Sequence, residues 1–307
     1  MLKVGVQSGD WYDHTRPYES IEYIKSCGFE AIDFNIDNYL DTQALAKNGI
    51  GETFFDKPVE EIIAFFDPLR DACEKNGVAI SQMHAPFPIW FDGIEDVNDY
   101  ILMALDKCFA VCEHVGCPAI VVHPSRTPDR REEFELNARI YRKIIPLIKK
   151  YKGVKVCLEN IFTHQGIRII EGRLSNPDDA CALVDLLNEE AGGDYFGFCL
   201  DIGHANLTKN KIGEFIKALG NRLTILHIHD NDGDEDLHMI PYSYLSRDRR
   251  HVIDWADFVG GLKAIGYEGT LSFETFRICH VLPKELHTPA LHFIAEIGHY
   301  WVRELEK

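Results

Sequence analysis

Residues 196–206 read FGFCLDIGHAN, in which a short apolar run ends at an aspartate. Similar runs rich in Val, Ile and Phe recur along the chain, and each is followed by a longer amphipathic stretch. The runs occupy residues 3–8, 31–36, 78–84, 119–123, 154–159, 196–201, 223–229 and 270–274. Strands that alternate with helices indicate a parallel sheet, and eight is the number that closes into a (β/α)8 barrel.

The segments between these runs show helical periodicity. The clearest apolar stripes are Ile62, Ile63, Phe66 and Leu69 within 59–76, Ile101, Leu105, Cys108 and Val111 within 97–115, and Leu291, Ile294, Ile297 and Trp301 within 289–307. Glycines that can end a helix before the next strand stand at positions 28, 77, 116, 153, 220 and 266. We find no linker or break in composition, so we predict one TIM-barrel domain over residues 1–307.

A doubly wound open sheet is the main alternative fold. Such a sheet would be expected to carry a glycine-rich phosphate loop after an early strand. Neither GxGxxG nor GxxxxGK[ST] occurs in the chain, and the barrel is therefore favoured.

The charge of the chain disfavours nucleic acid as a partner. It has 32 basic and 49 acidic residues, a formal net charge of −17, and a negative surface repels phosphate backbones. Basic residues do cluster at Arg126, Arg130 and Arg131, and again at Arg247, Arg249 and Arg250. We interpret both clusters as solvated loops.

The chain is expected to be cytoplasmic. No stretch approaches the roughly 20 apolar residues that span a bilayer, and the N-terminus MLKVGVQSGD lacks the apolar core of a signal peptide. The nine cysteines form no CxxC pair, and several lie in apolar strands, which indicates reduced thiols.

Polar residues collect at the C-terminal ends of strands three to eight. They are His84, His123, Glu159, Asp201, His227 and Glu274. Two residues earlier, where the side chain points to the same side of the strand, stand Gln82, Val121, Cys157, Cys199, Ile225 and Ser272. Because these strand ends converge on the mouth of a barrel, the six polar side chains are predicted to share one site.

A divalent cation is the expected counter-charge in that mouth. Two glutamates and one aspartate would be buried there together, and burying like charges is costly unless something neutralises them. No Lys or Arg stands at the matching strand ends. Carboxylates with an imidazole suit Mn²⁺, which we take as the first expectation, and also Co²⁺, Mg²⁺ or Zn²⁺.

Five motifs resemble the xylose-isomerase-like barrel superfamily, which includes keto-sugar epimerases, inosose-processing enzymes and the endonuclease IV type of nuclease. They are VCLEN (156–160), CLDIGHAN (199–206), LHIHDND (226–232), VIDWADF (252–258) and GYEGTLSFET (266–275). The resemblance runs over essentially the whole chain. It implies one metal ion held by Glu159, Asp201, His227 and Glu274.

The resemblance also implies a reaction, the isomerisation or epimerisation of a sugar, sugar phosphate or inosose through an enediolate. Glu159 and Glu274 resemble the acid and base of the epimerases, and His204 resembles the histidine that binds the substrate oxygen beside the reacting carbon. The resemblance also implies that His84, His123 and His238 bind substrate hydroxyls, as the matching histidines of sugar-handling relatives do. Aromatic residues in the loops at 11–12, 54–55 and 87–91, with Trp90, are predicted either to stack on the sugar ring or to pack as a lid.

One position departs from the ketohexose epimerases, which place an arginine six residues after the histidine ligand. Gly233 stands there instead, within the acidic stretch NDGDEDLH. C3 epimerisation of a ketohexose is therefore disfavoured, whereas proton transfer in general is not.

Other functions stay open. A three-zinc phosphodiesterase of the endonuclease IV type would use His84, His123, His204, Asp236 and His238 as additional ligands. A metal-dependent subunit of a complex that cleaves C-glycosides, or a binding protein without activity, would fit the same fold. Asp230 and Asn231 are expected to orient ligands or to cap their loop, and a homo-oligomer is possible.

Overall fold

A ring of eight parallel strands forms the centre of the structure, a computed structural model that describes residues 2–127, 129–244 and 252–307. The strands are β1 (Lys3–Gln7), β2 (Ala31–Asn35), β3 (Ala79–His84), β4 (Ala119–Val121), β5 (Lys155–Glu159), β6 (Phe196–Asp201), β7 (Leu223–His227) and β8 (Thr270–Phe273). They pair in chain order from β1 to β7, and β8 pairs with β1. The predicted (β/α)8 barrel is confirmed.

The ring closes between β7 and β8 through a parallel bridge just beyond β7. The Ile228 amide donates to the Ser272 carbonyl at 2.9 Å, and the Glu274 amide donates to the Ile228 carbonyl at 3.0 Å. These bonds hold the backbone directly after His227 and at Glu274. Two predicted site residues therefore lie where the barrel closes.

Helices surround the ring. They are α1 (Pro17–Ser26), α2 (Thr42–Asn48), α3 (Val59–Phe65), α4 (Asp67–Asn76), α5 (Glu95–Val115), α6 (Arg130–Ile148), α7 (Pro177–Ala191), α8 (Ile202–Leu207), α9 (Ile212–Leu219), α10 (Trp255–Ile265), α11 (Ile278–Val281) and α12 (His287–Leu305). Single 3₁₀ turns occupy Ile36–Tyr39, Phe54–Asp56, Gly220–Arg222 and Lys284–Leu286. The predicted terminal helix corresponds to α12, which buries Leu291, Ile294, Ile297 and Trp301.

The stripe predicted as one helix over 59–76 is divided into α3 and α4. The backbone leaves the helical conformation at Phe66, with φ −95° and ψ 1°, two residues before Pro68. Proline lacks an amide hydrogen and its ring clashes with the carbonyl four residues earlier, so Pro68 fits in the first turn of α4 but not inside one continuous helix. Phe66 nevertheless stays on the buried face with Ile62 and Leu69.

The barrel interior contains a layer of apolar side chains below the mouth. This layer consists of Ala119, Val121, Cys157, Cys199 and Ile225, which form a cluster separate from the main core. Four of these residues, all except Ala119, stand two positions before a polar strand end, on the same side of the strand. The main core lies between the strands and the outer helices, as the fold requires.

A small antiparallel hairpin extends the segment between β5 and α7. Its strands are Thr163–Gln165 and Arg168–Ile170, and the Ile161 amide donates to the Arg173 carbonyl at its base, at 2.8 Å. Gly172 is required there, because a Cβ on it would lie 2.4 Å from the Ile161 carbonyl oxygen. The sequence periodicity gave no sign of this hairpin.

Within the described residues, no helix combines the length and the apolar character needed to cross a membrane. The nine cysteines form no disulfide in the structure, and seven of them are buried.

Candidate active site

The four predicted metal ligands converge at the mouth of the barrel. Glu159 and Asp201 end β5 and β6, His227 ends β7, and Glu274 directly follows β8. The Nδ1 atom of His227 lies 3.6 Å from Glu159 Oε1, 3.5 Å from Glu274 Oε2 and 4.0 Å from Asp201 Oδ2. All four residues are buried, with at most 8% of their surface exposed.

This donor set fits a divalent cation. Both ring nitrogens of His227 are buried and have no hydrogen-bond partner among the described residues. Ligands that bind one ion at about 2.1 Å are separated by roughly 3.0 to 4.2 Å, and the three distances to Nδ1 lie within that range. Asp201, His227 and Glu274 each present a donor atom within 4.8 Å of the others, and three carboxylates with one imidazole suit Mn²⁺, Co²⁺, Mg²⁺ or Zn²⁺.

Asp33 positions His227 from the other side. Its Oδ2 lies 3.4 Å from His227 Nε2 and accepts a hydrogen bond from Gln82 Nε2 at 3.0 Å, while its Oδ1 lies 3.0 Å from His84 Nδ1. The His84 and His227 rings stack with their centroids 4.5 Å apart. Carboxylates beside one ring nitrogen of a ligand histidine commonly set the orientation of the ring. Asp33 lies on the Nε2 side of His227, and Nδ1 faces the three carboxylates.

Charge compensation keeps these groups ionised despite their burial. Burial alone would raise the pKa of Asp33 and Glu159, but the adjacent histidines hold both pKa values well below their usual range. Burial would lower the pKa of His84, but Asp33 raises it to about 9. Carboxylates and histidines of the mouth therefore favour one another's charged forms.

Asp33 was missed in the sequence, although a signal existed. It is the one charged residue in the apolar run AIDFN of β2. The register between β2 and β3 shifts between Ile32 and Asp33, so that Asp33 lies opposite Gln82 and Asn35 opposite His84. Register irregularities of this kind re-aim side chains near active sites.

A second cluster lies next to the first. It consists of His204, His229, Asp236 and His238, each with a donor atom within 4.8 Å of the others. Asp236 Oδ2 lies 3.1 Å from His238 Nε2 and 3.5 Å from His204 Nε2. His229, which the sequence analysis did not assign, contacts both Asp201 oxygens at 3.1 Å and stacks on His238 with centroids 3.9 Å apart.

Residues of the segment DIGHAN (201–206) have specific structural roles beside the site. Asp201 Oδ1 accepts the His204 amide at 2.6 Å, so the aspartate begins the short helix α8 and places His204 above it. Asn160 exchanges two hydrogen bonds of 2.8 Å with the Asp201 backbone, which locks β5 to β6. A Cβ on Gly203 would lie 1.9 Å from the His229 ring, so only glycine leaves room for that histidine.

The site opens into a pocket of about 770 Å³, within the size range of small-molecule sites. The predicted substrate-binding residues His84, His123, His204, His238 and Trp90 all line it. His123 Nε2 lies 2.7 Å from Glu159 Oε2, and Gln7 Nε2 donates to Glu274 Oε1 at 2.7 Å. Each catalytic candidate thus has one oxygen near His227 and the other near a pocket side chain.

Of the three aromatic loops, one lines the pocket and two do not. Phe87, Trp90 and Phe91 line the pocket, and Phe162 and Phe276 join them without having been predicted. The 11–12 and 54–55 loops do not line this pocket. Trp11 packs on Tyr23 and His287, Tyr12 packs on Phe34, and Phe54 and Phe55 pack against each other beside Phe66, because these rings fill gaps between outer elements.

Arg126 of the first basic cluster is exposed, as the interpretation of a solvated loop expects, and it also reaches the rim of the pocket. Arg126 lines the pocket together with Arg173 from the hairpin segment, and its Nη2 donates to the His164 carbonyl at 3.3 Å. Arg131 is exposed. The second cluster, Arg247, Arg249 and Arg250, lies outside the described residues.

Asp230 and Asn231 hold their loop rather than the four metal-ligand candidates. Asn231 donates to the Gly203 carbonyl at 2.9 Å and accepts the Gly233 amide at 3.0 Å. Asp230 accepts the Ser243 amide at 3.1 Å, and burial raises its pKa to about 6. The acidic stretch that follows turns back to bring Asp236 and His238 over the pocket.

The fold and site define a (β/α)8 barrel with a carboxylate and histidine cluster at its C-terminal mouth. A family model described as xylose isomerase-like TIM barrel matches residues 21–297. The chain belongs to this family, as its motifs had indicated.

Among the proteins similar to this chain in sequence are two without a stated activity. Uncharacterized protein MJ1311 of Methanocaldococcus jannaschii is 29% identical over 228 residues, which are 70% of this chain and 70% of that protein. Uncharacterized protein y4fM of Sinorhizobium fredii is 28% identical over 184 residues, which are 59% of this chain. The match spans 54%, about half, of the length of the y4fM protein.

Solved structures of sugar epimerases share the fold. D-psicose 3-epimerase from Clostridium cellulolyticum H10 has a TM-score of 0.70 at 15% identity, over 98% of this chain and 99% of that one. L-ribulose 3-epimerase has a TM-score of 0.69 at 17% identity, over 100% and 96%. The 3-keto-D-glucoside 4-epimerase of E. coli has a TM-score of 0.68 at 16% identity, over 96% and 99%.

Proposed function

We propose that this protein is a divalent-metal-dependent isomerase or epimerase that moves a proton next to the carbonyl of a sugar. The observation that carries the proposal is the unpartnered Nδ1 of His227, which faces Glu159, Asp201 and Glu274 at 3.5–4.0 Å at the base of the pocket. The epimerase structures that share the fold support the same class of reaction.

The chemistry requires stabilised charge and a positioned base. A divalent cation at this site would polarise the substrate carbonyl and stabilise the charge that forms beside it. Glu159 and Glu274 are the proposed acid and base, because they come from β5 and β8, with β6 and β7 between them in the ring. Carboxylates that approach a substrate from separate strands can remove and return a proton at different faces.

The remaining pocket residues would orient the substrate. His84, His123, His204 and His238 can donate or accept hydrogen bonds with sugar hydroxyls, and Trp90 offers a flat apolar face. The aromatic rings around them reduce the access of water to the reacting carbon, which strengthens electrostatic interactions inside the pocket.

Solvent-deuterium exchange tests this proposal on the Glu159→Gln variant. Exchange into a keto-sugar is expected to fall by about 10²- to 10⁴-fold, since the amide cannot accept the proton. Glu190→Gln is the matched control, because Glu190 pairs with Arg142 on the exposed outer face. Metal content is measured in every variant, and a Glu159→Gln protein with full metal and full exchange would show that the assigned role is wrong.

A three-zinc phosphodiesterase is the second candidate. The observation that favours it is the second cluster, in which His204, Asp236 and His238 lie beside the first site. Two or three zinc ions per purified chain, with binding to an abasic DNA duplex that weakens steeply with salt, would favour this function. About one Mn, Co or Mg per chain, with no duplex binding at low salt, would favour the isomerase.

A further inference from the structure

Two cationic side chains and one hydroxyl meet on the pocket wall formed by the segments after β4 and β5. They are Ser125 and Arg126, which follow β4, and Arg173, which ends the hairpin segment after β5. All three line the same pocket as Glu159 and Glu274. A neutral sugar has no need of guanidinium groups, so this wall requires a separate explanation.

Backbone contacts hold these residues in place. Asn137 of α6 accepts the Ser125 amide at 2.7 Å and donates to the Ser125 carbonyl at 2.8 Å, which fixes the start of the loop. The Arg173 carbonyl accepts the Ile161 amide at 2.8 Å, and Gly172 permits the close approach. The wall is therefore anchored to β4, β5 and α6 rather than carried on free loop ends.

Two polar atoms of this wall lack hydrogen-bond partners among the described residues, whereas Arg126 donates to the His164 carbonyl. Ser125 is 8% exposed, and its Oγ has no hydrogen-bond partner. The Nε of Arg173 is buried and has no hydrogen-bond partner among the described residues. Buried polar groups are nearly always hydrogen-bonded, so a ligand that accepts from these two groups would satisfy them.

Arg126 lies close enough to Arg173 for their charges to interact. Burial lowers the pKa of Arg173, Glu133 opposes this effect, the charge of Arg126 lowers the pKa further, and Glu159 raises it. Two guanidinium groups that repel each other across a pocket are stabilised when an anion lies between them. Arginine is the side chain best suited to carboxylates and phosphates, because its donors match their oxygens.

We propose that Arg173, Arg126 and Ser125 form a subsite for an anionic group on the substrate, and that the sugar therefore carries a carboxylate or a phosphate. The proposal rests on the proposed isomerase or epimerase function and names its substrate class. The metal site would hold the carbonyl end of the sugar, and the arginine wall would hold its acidic end.

The test uses ligands that share one skeleton and differ only at C6: D-fructose, D-fructuronate and D-fructose 6-phosphate. Binding to the metal-loaded full chain is measured by calorimetry at low and high salt, together with deuterium exchange. At least one acidic ligand is expected to bind roughly 10- to 100-fold more tightly than D-fructose, as a charged hydrogen-bonded contact provides. The acidic ligand that gains more identifies the group as carboxylate or phosphate.

Arg173→Gln is expected to remove this preference while the affinity for D-fructose stays unchanged. Arg222→Gln is the matched control, since Arg222 pairs with Asp185 at the exterior of the barrel. If Arg173→Gln does not fold, Arg126→Gln and Ser125→Ala on the separate β4 segment test the same subsite. Equal binding of all three ligands to the wild type, or equal losses for neutral and acidic ligands in the variants, would overturn the proposal.

The two proposals fail in different ways. Tight binding of an acidic ligand that depends on Arg173, without deuterium exchange for any sugar, would support the subsite and contradict the isomerase function. Deuterium exchange into D-fructose without any preference for the acidic ligands would support the isomerase function and contradict the subsite.

Discussion

Two layers of the barrel interior lie one above the other on the same strands and differ in kind. The lower layer is the apolar cluster Ala119, Val121, Cys157, Cys199 and Ile225. The upper layer begins two residues further along and contains His123, Glu159, Asp201 and His227. Side chains on one side of a strand recur every second residue. The apolar packing residues and the polar site residues are therefore only two positions apart on the same strands.

The two layers are buried to a similar degree but support opposite charge states. Burial raises the pKa of the Cys157 thiol to about 12, so this group stays neutral in the lower layer. In the upper layer, neighbouring histidines hold the pKa of Glu159 well below its usual range. Compensating partners rather than depth determine which groups remain charged, and such clusters are kept for function at a cost in stability.

Replacing an upper-layer ligand is expected to have the largest effect on function. His227→Ala should lose the bound metal and reduce deuterium exchange by about 10⁴-fold, since metal-assisted charge stabilisation contributes several kcal/mol. Elemental analysis and exchange rates check this result. Ile225→Val, two residues earlier on β7, is the matched control and should retain both properties; equal losses in the two variants would break the distinction between the layers.

Removing the metal should lower the free energy of unfolding, because the buried carboxylates of the upper layer lose their counter-charge. At a free metal concentration about 1,000 times its Kd, binding contributes about 4 kcal/mol to the free energy of unfolding, and chelation should remove that contribution. Urea unfolding with and without a chelator measures the difference. Ile225→Val should show the full difference and His227→Ala none, whereas a chelator effect that persists in His227→Ala would place the metal elsewhere.

The upper layer was predictable from the sequence because strand periodicity and barrel geometry act together. Glu159, Asp201, His227 and Glu274 occupy equivalent positions on successive strands, so one rule placed all four. Asp33 follows the same periodicity on β2, and its single charge within an apolar run was a usable signal.

Residues carried by loops were not predictable in this way. Arg173 reaches the pocket at the base of a hairpin that has no periodic signature, and Arg126 could not be told from the other charges of its loop. The sequence also did not show that the aromatic residues at 11–12 and 54–55 lie away from the pocket. The direction of a loop depends on tertiary contacts that local sequence does not encode.

A cavity in the lower layer should reduce stability without affecting the metal. Ile225→Ala is expected to lower the free energy of unfolding by about 3 kcal/mol, through lost burial and an unfilled space. Urea unfolding of the metal-free protein measures this change. Metal stoichiometry should remain that of the wild type, and a variant that loses its metal would indicate that the lower layer positions His227 directly.

The smallest expected effect concerns the anchor of the arginine wall. Asn137→Ala removes three hydrogen bonds of 2.7–2.8 Å, to the Ser125 amide, the Ser125 carbonyl and the Glu133 carbonyl. The free energy of unfolding should fall by about 2 kcal/mol, since buried backbone groups lose their partners. Binding of D-fructuronate or D-fructose 6-phosphate should weaken more than binding of D-fructose, and Asn188→Ala, at a side chain that likewise bonds buried backbone but at the start of β6, controls for general destabilisation. If Asn188→Ala weakens acidic ligands equally, Asn137 acts through overall stability and not through the position of Ser125.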